Sequence, residues 1–154
     1  MSAVYSARGR TVASAGTANH GVAALWNPHS TQRLRVREIG LVAAAAPGAG
    51  STILVARISA RGTAGSTVIP TIASAHNRGI DRPSGALLDL ATYSVQPTVD
   101  GIALRGWVLA AVAASGVILP FRDGIEIPPG AGLAIVNGAA IAVPASDVYF
   151  EWEE

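Results

Sequence analysis

The chain has 154 residues, of which half are apolar and only 14% are charged, with a formal net charge of +1 and no cysteine. This length fits one domain, and the near-neutral charge argues against a nucleic-acid partner, because a phosphate backbone requires clustered positive charge. Without cysteine, neither disulfides nor thiolate zinc sites are available.

The N-terminal part of the chain predicts an arm followed by a short strand. Residues 1–19 are rich in Ser, Ala, Gly and Thr and predict an arm, with a weak strand near 10–15. An apolar run follows at 21–26 and ends at the turn signal Asn27-Pro28.

The clearest strand pattern spans 33–43. Leu34 and Val36 alternate with arginines, as a strand period of two requires, and the alternation shifts by one residue after Glu38. The shift predicts a β-bulge near Glu38, with a strand covered on both faces as the alternative.

A second strong strand is predicted at 51–60, after the turn signal Pro47-Gly48. A strand, a short Gly/Pro turn and another strand predict a β-hairpin. A further strand at 67–73 is interrupted by Pro70, which places it at an edge or a bulge.

Residues 74–98 are less strand-like and predict a long surface excursion, with a serine-capped helical turn at 84–91. Long loops on compact β-domains often carry binding residues. Arg78, Asp81 and Arg82 are therefore candidate docking residues, and a salt bridge confined to the loop is the alternative.

The last part of the chain alternates between apolar runs and breakers. Trp107–Ala114 has the composition of a strand or an Ala-rich helix, and the flanking glycines favour the strand. Turns are predicted at Pro128-Pro129-Gly130 and at Asn137-Gly138, the latter as a two-residue hairpin turn. Short strands are predicted around these turns at 124–127, 133–136, 141–143 and 147–153.

These elements predict an all-β fold, an antiparallel β-sandwich of jelly-roll type, with a single domain at 20–154 and an N-terminal arm at 1–19. Evenly spaced short strands with turn signals are typical of sandwiches and barrels. The absence of a repeat of fixed period disfavours a solenoid or a propeller.

Two stretches carry a resemblance to known proteins. Pro120–Ile135 resembles a hairpin of the form Gly-Ile-x-Ile-x-Pro-Gly-x-Gly-Leu-Ala near the end of small virion proteins of tailed bacteriophages. Val148–Glu153 resembles their final strand, and the strands at Arg33–Val42 and Ile53–Ser59 fit their early strands. Together with the two early strands, the hairpin and last strand cover about a quarter of the chain.

Such proteins are similar to capsid decoration (cement) proteins, which are jelly-roll or related β-sandwich trimers at local three-fold positions of the head shell. The resemblance implies a homotrimer, made in the host cytoplasm, that binds the major capsid protein on the virion exterior and resists internal DNA pressure. A carbohydrate- or receptor-binding module of a phage fibre or tail is the alternative, disfavoured by an aromatic content of 5%.

The sequence lacks the residue spacings that metal sites, phosphate-binding loops and serine nucleophiles require. His20, His29 and His76 lie far apart, and none has a second histidine or a carboxylate at metal-ligand spacing. The Gly-rich turns lack the Lys-Ser/Thr of a phosphate loop, and no Gly-x-Ser-x-Gly elbow occurs. We therefore expect a protein that is not an enzyme and binds neither metal nor cofactor.

Two further features are candidate interfaces. Trp26 is an exposed anchor or, as the favoured alternative, a core aromatic. The arm with Tyr5, Arg8 and Arg10 either lies across a neighbouring subunit or is disordered. If it is a free arm, deleting Met1–Asn19 weakens capsid attachment without unfolding the domain.

The composition favours assembly over a solitary molecule. A chain this poor in charge has little polar surface to show to water, which indicates further burial in an oligomer. Every basic residue is an arginine, whose forked hydrogen bonds suit protein interfaces. Codon bias from a GC-rich genome is an equally good explanation of the arginines.

Neither the N-terminal segment nor the most apolar segment of the sequence has the pattern of an export signal or a membrane helix. Met1–Asn19 lacks the uninterrupted apolar stretch of a secretory signal. Trp107–Leu119 is shorter than the ~20 residues that a membrane helix needs. We expect a soluble protein with no membrane partner, made and used without export.

Overall fold

The structure is a computed structural model that describes residues 2–71, 75–76 and 82–154. Within these residues the chain forms ten β-strands. In chain order they are β1 (Val4–Arg10), β2 (Gly21–Asn27), β3 (Leu34–Ala43), β4 (Thr52–Ala60), β5 (Thr63–Val68), β6 (Leu87–Val95), β7 (Thr98–Val108), β8 (Gly116–Ile127), β9 (Ala131–Asn137) and β10 (Ser146–Glu153).

The strands form two antiparallel sheets that pack face to face. One sheet has the order β1-β10-β3-β8, and the other has the order β5-β6-β2-β9-β4-β7. From β1 to β4, and again from β7 to β10, successive strands alternate between the two sheets. Without β5 and β6 this is the strand order of a jelly roll, with two interlocked Greek keys. The predicted all-β antiparallel sandwich is confirmed, and β5 with β6 widens one of its sheets.

The core lies between the sheets and is built by alternate residues of each strand. In β10, Val148, Phe150 and Trp152 are at most 1% exposed, whereas the residues between them face outward. Trp152 stacks on Tyr5 of β1, with 6.1 Å between ring centroids. Alternation of this kind is what buries one face of each sheet and leaves the other for solvent or partners.

The N-terminal segment is part of the sandwich rather than an arm. Val4–Arg10 pairs with β10 along its whole length, and Ala3, Tyr5 and Ala7 belong to the buried core. The division into an arm at 1–19 and a domain at 20–154 does not match this pairing. Small residues such as Ala and Gly made the segment look weakly structured, yet small side chains suit a strand under a large aromatic stack.

Both predicted hairpins around Gly/Pro turns are wrong in one respect. β3 and β4 lie in different sheets, and so do β8 and β9. The turns at Pro47-Gly48 and Pro128-Pro129-Gly130 therefore carry the chain across the sandwich. Turn chemistry predicts where the chain reverses, but it does not state which strands then pair.

The segment predicted as a helical turn is extended. β6 begins at Leu87, and the Ser84 hydroxyl accepts hydrogen bonds from the Ala86 backbone N–H at 3.0 Å and from the Trp152 indole N–H at 3.2 Å. Ser84 therefore satisfies a core tryptophan instead of capping a helix, because buried indole N–H groups require an acceptor.

Asn137 ends β9 and is fully buried, so it is not the tip of a hairpin turn. Its side-chain amide donates to the carbonyls of Ala15 and Thr17, and its oxygen accepts from the Ser14 hydroxyl at 2.9 Å. These bonds attach the segment between β1 and β2 to the sandwich. The strand predicted at 141–143 is irregular backbone in the structure.

The predicted bulge near Glu38 is confirmed. Glu38 pairs with Glu151, but Val36 pairs with Trp152, so Arg37 is an extra residue in β3. On the other side of β3, Glu38 pairs with Pro120 and Val36 with Ile125, so that Arg37 stands opposite the four residues 121–124. This wide bulge shapes the edge of the sheet at β8.

Candidate functional site

The side of the sandwich closed by β7 and β8 is poorly covered. These edge strands of the two sheets, with 11 and 12 residues, are the longest strands that the structure describes. No residue of β7 is buried, and in β8 only Ile127 is. We call this side, formed by residues 98–108 and 116–127, the β7–β8 seam.

Each of the two edge strands is interrupted by a bulge. In β7, Val99 pairs with Ile58 and Ala103 with Ala56, so residues 100–102 stand opposite a single residue of β4. Gly101 and Gly124 hold the two bulges with φ of 62° and 70°, which other residues rarely adopt. Both lie outside the hydrogen-bonded ladder.

The edges are consequently unsuited to adding another strand. Bulges and edge prolines are devices that prevent strand-to-strand association, and Pro120 of β8 supplies no backbone N–H. Contacts at this seam must therefore be made by side chains.

A groove of about 640 Å³ runs between the two strands. Leu104, Phe121 and Ile125 line it and are half-buried against the core. The residues of its rim include Arg57, Arg105, Arg122, Asp123 and Glu126.

Most charges of the rim are already engaged. Arg57 donates to the backbone carbonyl of Glu126 at 2.6 Å, and Arg105 donates to the carbonyl of Leu104 at 2.9 Å. The Glu126 carboxylate accepts hydrogen bonds from Arg35 and Arg33, which hold its pKa below the ordinary value. Within the described residues, the Arg122 guanidinium has no partner, and the rim is left positive in balance.

An apolar floor with a polar, arginine-containing rim is the usual composition of a protein interface. The described residues contain no group of three His, Cys, Asp or Glu side chains placed to hold a metal ion. The described residues also contain no helix that is long and apolar enough to cross a membrane.

A second, larger groove of about 790 Å³ lies beside β1, on the outer face of the four-stranded sheet. Arg10 binds both oxygens of Asp147 there, at 2.8 and 2.6 Å, and holds the pKa of that carboxyl below its ordinary value. The Tyr149 ring covers Gly40 and its hydroxyl donates to Glu38. Arg10 and Asp147 thus compensate each other in this groove, and Arg8 also lines it.

Burial, reinforced by the hydrogen bond to Glu38, raises the pKa of Tyr149 to about 12. We expect Glu38→Gln to lower the midpoint of one phenolate absorbance step, because it removes a negative charge beside the ring, whereas Glu126→Gln leaves that step in place. Since the folded-state pKa is raised, the stabilising contribution of Tyr149 is complete below about pH 10 and decreases as pH approaches 12. An unchanged midpoint in Glu38→Gln would contradict the assignment.

The residues that the sequence indicated as interface residues lie in different environments in the structure. Tyr5 is fully buried and donates to the backbone carbonyl of Arg82 at 3.1 Å, so it is a core residue. Arg10 is engaged with Asp147, and Arg8 is exposed on the outer face of β1. Arg78 and Asp81 lie outside the described residues.

Trp26 is half-buried on the outer face of the wider sheet. It packs against Ala24, Ile58, Ala134 and Val136, a small apolar cluster distinct from the main core. Trp26 is therefore neither fully exposed nor part of the main core, and its role as an anchor stays a prediction.

Two of the histidines have acidic or hydroxyl partners. His29 binds the buried Glu154 carboxylate at 2.7 Å, and the same carboxylate accepts from the Gly85 backbone N–H. His76 bonds the Ser6 hydroxyl at 2.8 Å. The His29–Glu154 contact connects the last residue to two loops.

The seam residues were missed by sequence reasoning, although a signal was present. An Asp-Gly dipeptide, Asp100-Gly101 or Asp123-Gly124, stands in each bulge. Asp-Gly marks turns, and inside a strand pattern a glycine indicates a bulge. That signal would have located both irregular edges.

Comparison with protein-family models, with curated proteins and with solved structures found no match to this chain.

Proposed function

We propose that the chain is a structural protein that decorates and stabilises the outer surface of a phage capsid, by forming a trimer and binding the lattice of the major capsid protein. The observation that carries the proposal is the β7–β8 seam. A jelly-roll sandwich that leaves its longest strands half-covered, with an apolar groove and an arginine rim, is built to be completed by other protein.

The distribution of charge supports a docking role. Among the described residues, five arginines form ion pairs with carboxylates of the same chain, which leaves few free charges to attract a ligand: Arg10, Arg33, Arg35, Arg37 and Arg61. Arg57 donates to the backbone carbonyl of Glu126. The seam also exposes the apolar side chains of Ile102, Val108 and Ile118. Association through such a surface depends on apolar burial with hydrogen bonds at the rim.

The resemblance to decoration proteins supports the fold more than the docking. Its residues include β9, in the interior of one sheet, and β10, in the interior of the other. They are buried, so they specify the sandwich. The docking part of the proposal therefore depends on the seam, of which the resemblance covers only residues 120–127 of β8.

Two measurements test the proposal. Light scattering of the purified protein should give three times the chain mass of 15.6 kDa. A cryo-EM map of the virion whose genome encodes the chain should then show the sandwich on the outside of the head, at three-fold positions. A head surface without this density, in virions that contain the protein elsewhere, would overturn it. Specific binding to a glycan array would instead favour the carbohydrate-binding alternative.

A further inference from the structure

We propose that the β7–β8 seam is the contact between copies of this chain, and that the bulge 100–102 of one copy inserts into the groove of the next. The inference deepens the proposed function, on which its trimeric form rests. It names a knob and a groove, and both lie on the same side of the sandwich.

The knob is the bulge of β7. Ile102, with 84% of its surface exposed, is the most exposed large apolar residue in the described part of the chain. Gly101 has open space around it, so the bulge projects into solvent. Asp100 beside it is exposed and forms no ion pair with any described residue. A protruding isoleucine next to a free carboxylate is complementary to an apolar groove with a cationic rim.

The groove supplies that complement. Its floor of Leu104, Phe121 and Ile125 is apolar and half-buried, which leaves surface for an aliphatic side chain to cover. The Arg122 guanidinium at the rim has no partner among the described residues and is available to the Asp100 carboxylate. Arginine favours this role because its forked donors match a carboxylate.

The proposed trimer determines the kind of contact. In a trimer the knob of each copy inserts into the groove of the next, which makes the contact heterologous, and a heterologous contact closes into a ring when its rotation permits. Because Ile102 and Leu104 are two residues apart on β7, each copy presents both surfaces near one axis. Side-chain insertion also agrees with the bulged edges, which exclude pairing of backbones.

The first test replaces the knob. Ile102→Asp should weaken self-association about 10- to 100-fold, the range expected when an aliphatic side chain of this size loses its buried site. Ile69→Asp is the matched control, because Ile69 is 69% exposed but follows β5 at the opposite edge of the same sheet. Sedimentation equilibrium measures both. Equal dissociation constants for Ile102→Asp and the wild type would overturn the proposal.

The second test exchanges charges across the contact. Asp100→Arg and Arg122→Asp should each weaken the assembly, and the double variant should restore it, because the pair is re-formed with opposite polarity. Asp100 and Arg122 are both exposed, so the variants should keep the melting temperature of the monomer. Additive losses without restoration would overturn the pairing of Asp100 with Arg122.

The outcomes separate this inference from the proposed function. If Ile102→Asp is monomeric and still occupies capsids, the seam is the self-association contact and trimerisation is unnecessary for decoration. If the wild type is a trimer that is insensitive to every seam variant, the seam inference fails while decoration stands. If the seam variants dissociate a trimer that is absent from heads, the decoration proposal fails alone.

Discussion

A variant that begins at Thr11, and so lacks β1, is expected to lose its cooperative thermal transition. β1 pairs with β10 along seven residues and supplies Tyr5 and Ala7 to the core, and Ala3 just before it is also buried there. Without it, the indole face of Trp152 and one edge of β10 would meet water. The sequence pattern alone predicted the opposite, a detachable arm whose loss affects attachment only.

The size of the effect follows from the core contacts. Truncating a buried aromatic to alanine costs about 3–5 kcal/mol, and a small domain has only about 5–15 kcal/mol in total. Tyr5→Ala removes one such side chain, so it should lower the melting temperature strongly while leaving a folded domain. Deleting the whole strand also removes a ladder of backbone hydrogen bonds, and the sum reaches the stability of the domain.

Near-UV circular dichroism and thermal melts provide the measurement. Arg8→Ala is the control on the same strand, since its side chain is exposed and should leave the melt unchanged. A truncated protein that melts cooperatively near the wild-type temperature would show that β1 is dispensable, as an arm would be.

The features that depend on neighbouring residues were predictable from the sequence, and those that depend on distant residues were not. Period-two alternation predicted β3, β4 and β10 well, because a strand with one buried face must alternate. The bulge at Glu38 was visible as a phase shift in the same alternation. These features depend on residues adjacent in the chain.

Pairing was not predictable in this way. The chain order places β3 beside β4, but β3 pairs with β8 and β10, which are distant in sequence. A jelly roll exchanges sheets at each turn, and no local residue pattern records that exchange. The seam was missed for the same reason, since it exists only where β7 and β8, the ends of two different sheets, face each other.

The last expected result concerns two Arg–Asp pairs with nearly the same geometry and different burial. Arg61 binds both oxygens of Asp89 at 2.7 Å, and Arg10 binds both oxygens of Asp147 at 2.8 and 2.6 Å. The Asp89 side chain is fully buried, whereas the Asp147 side chain is 58% exposed. Burial is therefore the main difference between the two pairs.

Asp89→Asn should destabilise the protein by about 3 kcal/mol, because it removes one partner of a buried ion pair and leaves the other poorly compensated. Asp89 also accepts from the Thr67 hydroxyl at 2.6 Å, so the change loosens β5 from β6. Asp147→Asn should leave the thermal melt within error, because water replaces what an exposed carboxylate loses.

Chemical denaturation of both variants, with Arg61→Ala and the corresponding double variant, measures the coupling. A double variant no less stable than the single ones would show that Arg61 and Asp89 act as a unit. Equal effects of Asp89→Asn and Asp147→Asn would contradict the argument, because geometry alone would then decide the strength of the pair. The β5–β6 extension would in that case owe its place on the sandwich to backbone pairing rather than to the buried carboxylate.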